Sequence, residues 1–181
     1  MKSLFLLVAG IASLCSASSE PVVSFNSLKA VEASINDKLR SSINDPYDLL
    51  GTARGTYLEG YGAIFSVELN LLLVSAPNLL PFNQKITETE IAAMRERKLR
   101  KMDLLRDSMR GLMLGASKTL TGLPAGERIV METFLFNYHW ENSRGLPHRL
   151  VLTAEKQKLL DASALHLTGA ELAAVFTQEE L

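Results

Sequence analysis

One cysteine, Cys15, is all the thiol that the 181-residue chain carries. A lone cysteine excludes a disulfide framework within the chain. Charge of one sign is also missing: 19 Lys and Arg stand against 20 Asp and Glu, so no global field points to nucleic acid. No apolar run reaches the roughly 20 residues of a membrane-spanning helix. Past the first residues the nearest is Val67 to Ala76, which Glu68 and Asn70 interrupt. Several reaction motifs are absent: G-x-S-x-G, the P-loop, H-E-x-x-H, C-x-x-C and G-x-G-x-x-G. Gly60-Tyr61-Gly62 has only two glycines and lies inside a strand pattern, so it is no phosphate cradle. No cofactor is called for.

What is present begins with a leader. Lys2 supplies a short positive region, Leu4 to Leu14 an apolar core, and Cys15-Ser16-Ala17 small residues for cleavage. Residues 1–17 therefore read as a signal peptide, and residues 18–181 as a single domain exported to the periplasm or beyond the cell. Lipid anchoring through Cys15 is the weaker alternative, because Leu14 precedes it where a small residue is wanted. Cleavage after Ala17 leaves 18 basic against 20 acidic residues and no cysteine. The exported fold must then hold together by its core alone. With 47% hydrophobic residues it has the material for one.

Periodicity gives the layout. Leu28, Val31, Ile35, Leu39 and Ile43 recur at spacings of three and four, which predicts a helix from Asn26 or Ser27 to the stop at Asn44-Asp45-Pro46. From Thr56 to Val74 the period is two, as one long strand or two strands turning at Glu59-Gly60, closed by Pro77 and Pro81. Gly60 and Gly62 mark a bulge, a tight hairpin or a close backbone approach. Thr87 and Glu90 form a capping box, each satisfying the other's backbone N–H. They open a long helix to about Leu120, with Ile91, Met94, Met102, Leu105, Met109, Leu112 and Ala116 as its stripe. Arg128 to Trp140 is the clearest strand. Apolar on both faces, it suits a central strand covered on both sides. A polar loop, Glu141 to Pro147, leads to a partner strand at His148–Thr153 and so to a hairpin. Ala154–Ala162 and Gly169–Phe176 read as helices, the second with a capping box from Thr168 and Glu171. Gln178-Glu179-Glu180 reads as a fraying tail. The class is α+β: an antiparallel or mixed sheet with packed helices, one of them long, basic and amphipathic.

Three groups of side chains are candidates for chemistry. His139, Glu141 and His148 flank the hairpin mouth, and imidazole with carboxylate suits a zinc site or an acid–base pair; hairpin mouths are polar in any case. Glu59, Glu68 and Glu132 lie on neighbouring strands, where like charges would raise one pKa; an ion pair of Glu132 or Glu68 with an arginine is the plainer reading. Arg95, Arg97, Lys98, Arg100 and Lys101 crowd one side of the long helix and would suit an acidic partner or an anionic membrane surface. Solvent is the ordinary neighbour of such a face. Met94, Met102, Met109 and Met113 suit core filling better than an adaptable groove. His166 is isolated.

Ala53 to Phe65 (ARGTYLEGYGAIF) and Leu123 to Pro147 (LPAGERIVMETFLFNYHWENSRGLP) resemble segments of exported bacterial proteins with no assigned activity. The resemblance implies export from a bacterium and carries over no functional residue. The reading is therefore a non-enzymatic exported protein that binds a partner in the bacterial envelope. A periplasmic hydrolase or metalloprotein using His139, Glu141 and His148 is one alternative. An oligomerising structural protein is the other.

Overall fold

The computed structural model describes residues 23–41, 46–73 and 86–181. The expected leader with Cys15, and Ile43, Pro77 and Pro81, lie outside them. The elements run α1 (Phe25–Arg40), β1 (Asp48–Leu49), β2 (Arg54–Leu58), β3 (Gly62–Asn70), α2 (Glu88–Thr119), β4 (Arg128–Leu135), β5 (Arg149–Glu155), α3 (Lys156–Ala164), α4 (Gly169–Ala173) and β6 (Thr177–Glu180). The protein is α+β, with helices packed on a mixed sheet. The sheet order is β1-β3-β4-β5-β6, and β2 also pairs with β3. Only β3 and β4 run parallel, because α2 carries the chain back between them.

Helix α1 starts earlier than its stripe implies. Ser24 is the N-cap, its hydroxyl accepting from Ser27 N at 3.1 Å. Leu28, Val31, Ile35 and Leu39 are buried as expected. So is Glu32, which lies on the same stripe. Its carboxylate accepts from Lys29 at 2.6 Å and from the Gly55 N–H at 2.8 Å, while Asn36 accepts from Ala53 N at 2.9 Å. Two polar side chains of α1 thus satisfy the N–H groups of Ala53, just before β2, and of Gly55 within it.

Of the two readings of Thr56 to Val74, one long strand or two, the structure has two, β2 and β3, which turn at Glu59–Tyr61. Gly60 takes φ +77° there. Gly62 has φ +141°, and a Cβ on it would stand 1.9 Å from the Arg128 carbonyl oxygen, so β3 and β4 could not approach each other at that end. Strand β4 stops at Leu135, five residues before Trp140. Its parallel partner ends one register position later, at Asn70, and the alternating aromatics beyond pack on each other instead. Phe136 and Tyr138 meet edge-on at 5.0 Å; Tyr138 and Trp140 stack at 5.3 Å.

The capping box of α2 forms on both sides, with Thr87 N donating to Glu90 at 2.8 Å and Glu90 N to the Thr87 hydroxyl at 3.3 Å. The box expected at Thr168 does not: its side chain caps nothing, and α4 is a short turn ending at Ala173. The backbone hydrogen bond from Thr87 holds the Glu90 carboxyl below its ordinary 4.5. A carboxylate with a lowered folded pKa stabilises above the unfolded value and loses that contribution as pH falls through the folded one. Amide exchange at residues 88–91, corrected for intrinsic rates, should therefore accelerate on acidification below about pH 4.5. Glu90→Gln should remove that pH dependence. Unchanged protection at pH 3 would show that the box does not hold this end.

Helices α1, α2 and α3 share one side of the sheet. Ile129, Met131, Thr133 and Leu135 of β4 face them and are buried, and the Thr133 hydroxyl reaches Met109 Sδ at 3.5 Å. Among the described residues no helix packs on the other side, where the composition of β4 suggests a second cover. Its outward Val130 is nevertheless 7% exposed, shielded by neighbouring strands, while outward Phe134 is 41% exposed. Nor do the described residues include a helix long and apolar enough to cross a membrane.

Candidate functional site

The expected basic face of α2 is dismantled by the fold. Lys98 and Lys101 are 1% and 2% exposed. Counted from Met94, they fall four and seven residues on, which are interior positions of a helix. Lys101 donates to the Pro46 carbonyl at 2.9 Å and lies 4.7 Å from the Tyr47 ring centre. Arg95 is half-buried and donates to the Arg144 carbonyl at 2.8 Å. Only Arg97 and Arg100 of the five remain exposed. Farther along, Arg106 pairs with Glu180 at 2.7 Å, and Arg110 donates to Gln178 at 3.3 Å. The acidic tail, expected to fray, is instead strand β6, held by β5 and by the helix whose charge seemed to await a partner.

His139, Glu141 and His148 are not brought together. Both imidazoles are exposed. Glu141 is turned inward to Lys98, whose ammonium also donates to Asn137 Oδ1 at 2.9 Å. Glu141 Oε1 and Asn137 Nδ2 are buried without a hydrogen bond among the described residues. The described residues also hold no group of three His, Cys, Asp or Glu able to bind a metal ion. Of the second set, Glu132 pairs with Arg149 at 3.1 Å, while Glu59 and Glu68 are exposed. His166 is exposed too, in a left-handed turn at φ +52°.

The described residues also form a concave feature away from these groups. A cleft of about 420 Å³ opens between α3, α4 and the start of β6. Leu165, Leu167, Val175 and Phe176 line it with apolar surface, and Asp161 and Glu171 lie at its polar margin. Leu165 is 70% exposed, an unusual position for a leucine beside a hollow. The cleft ends at Thr177, the first residue of β6, which is the outermost strand on that side of the sheet.

The ladder shows which backbone groups this edge offers. Arg149 and Leu181 exchange both hydrogen bonds, at 2.9 and 3.0 Å. Bonded pairs alternate in an antiparallel ladder, so Glu179 and Thr177 also bond to β5. Gln178 and Glu180 then point their N–H and C=O groups away from the sheet. Sequence reasoning missed this site because β6 carries no apolar alternation; period-two burial is lost on a strand that is exposed at every residue. Comparison with known proteins finds no matching family model, no matching curated protein and no matching solved structure.

Proposed function

We propose that the protein is an exported, non-enzymatic binding module of the bacterial envelope, whose partner is an extended protein segment that adds to β6. The observation that carries this reading is the cleft beside the open edge. Strand addition draws affinity from main-chain hydrogen bonds and specificity from a pocket for an alternate side chain. Gln178 and Glu180 supply the first, and the hollow lined by Leu165, Leu167, Val175 and Phe176 the second. Its volume suits one or two large apolar side chains. Glu171 at the margin of the cleft favours a segment with a basic residue beside the apolar anchor. The leader and the resemblance of residues 53–65 and 123–147 to exported bacterial proteins support the compartment.

Selection of random displayed peptides on the natively purified protein tests this. Enriched peptides should carry an apolar anchor with nearby Lys or Arg. Gln178→Pro removes an outward N–H that β5 does not use, so the sheet should tolerate it. It should weaken the selected peptides about tenfold or more. Ala174→Trp, which fills the cleft, should do the same. Failure to enrich any peptide, or peptides indifferent to both variants, would overturn the reading.

A further inference from the structure

The helix-free side of the sheet is a second surface, distinct from the β6 edge. Residues opposed across the ladders share a face, so the registers order its side chains into rows. One row is Thr56, Ile64, Val130, Thr153 and Thr177; the next is Arg54, Ser66, Glu132, Val151 and Glu179. The first is β-branched throughout, a flat surface suited to packing on another sheet. The second is positive at its β2 end and negative at its β6 end. In a third row Glu68 and Arg149 flank Phe134. Arg54, Glu68 and Glu179 make no ion pair within the described residues.

We infer that this face is the interface of a twofold dimer whose axis runs along β4. Such an axis keeps every row and exchanges its ends. Arg54 then meets Glu179 of the second copy, and Glu68 meets the second copy's Arg149. Val130 meets its own equivalent at the centre, and Ile64 lies over Thr153. The charge pattern is thus complementary to itself under one rotation, as an isologous interface requires. Two like-charge positions fall on the axis, and each is already matched within its own copy. Glu132 is paired with Arg149 at 3.1 Å, and Arg128 lies over the Tyr61 ring at 5.7 Å. A twofold across the strands would instead keep each strand over its own equivalent, so that Arg54 on β2 and Glu179 on β6 never meet. The product is a four-layer sandwich, helices outside and two sheets within, about 10 Å apart.

Sedimentation equilibrium on the natively purified full chain tests it, across roughly 1–100 µM. The expected species has twice the chain mass. Arg54→Glu and Glu179→Arg should each weaken association about tenfold or more, and the two together in one chain should restore it to within about threefold. Both positions are exposed, so folding should survive, with far-ultraviolet circular dichroism as the check. A monomer at the highest concentration overturns the inference, including the case in which another part of the same chain covers the face. A dimer indifferent to the single changes, or a double variant no better than the singles, overturns it equally.

Discussion

Replacing Lys98 with methionine should destabilise the domain by about 3–5 kcal/mol, and replacing Lys98 and Glu141 together, by methionine and leucine, should recover most of that loss. The ammonium is buried against Glu141, with Asn137 at 2.9 Å and the Phe136 carbonyl at 3.5 Å as further acceptors. Removing it strands a carboxylate that is 5% exposed and already has one oxygen without a partner. An unpaired buried charge is far costlier than a missing pair, so the single change is severe and the double mild. Urea denaturation of the four proteins in the cycle measures both terms. A silent single change would show that Glu141 finds water. A double variant as damaged as the worse single would show that the pair stabilises in its own right. The contact also ties the segment after β4 to α2, so Lys98→Met should speed amide exchange across residues 137–146 beyond the global change.

Lys156→Met should cost about 2–4 kcal/mol, roughly 10 °C in Tm for a domain of this size. The Lys156 side chain continues the inward alternation of Leu150, Leu152 and Ala154 past the end of β5 and is 7% exposed. Its ammonium donates to the carbonyls of Leu120 at 2.8 Å, Thr121 at 3.2 Å and Leu123 at 2.6 Å. All three lie just past the last turn of α2, where carbonyls are left over and the helix dipole is negative. Three donors thus meet three acceptors, and methionine leaves the acceptors unmet. Arginine should not rescue, because its planar fork does not converge on three oxygens around one point. Burial holds the amine's pKa below its ordinary 10.5. The unfolded chain therefore binds this proton more tightly than the folded one, and the residue's contribution rises with pH in the window just beneath 10.5. Acidification below neutrality takes nothing from it. A Lys156→Met protein as stable as the parent would show that the carbonyls are solvated instead.

Periodicity was a good guide where apolar residues occupied the interior. The stripes of α1 and α2, the β4–β5 hairpin and the box at Thr87 all follow from spacing and cap chemistry, while the turn at Glu59–Tyr61 was one of two readings that spacing left open. It misled where a charged residue stands inside. Lys98 and Lys101 occupy interior positions of the α2 period although their charge suggested solvent, and Glu32 on the α1 stripe and Lys156 in line with the inward residues of β5 are interior in the same way. The gap in the α2 stripe between Met94 and Met102 was the available sign, since four and seven residues on from Met94 something had to face inward. The basic stripe was thus half interior and half already paired. The partner of Arg106 and Arg110 lies 68 to 74 residues away in a tail with no periodic pattern, a pairing that no local window contains. The cleft was illegible for the same reason, because it is made by the ends of three elements.

The two margins of the sheet differ. At β2 and the residue before it, Glu32 and Asn36 of α1 occupy the amides of Gly55 and Ala53. Two amides at that margin are already taken from within the chain. At β6 the outward groups of Gln178 and Glu180 have no hydrogen-bond partner among the described residues. An incoming strand therefore meets fewer free amides at the β2 margin than at β6.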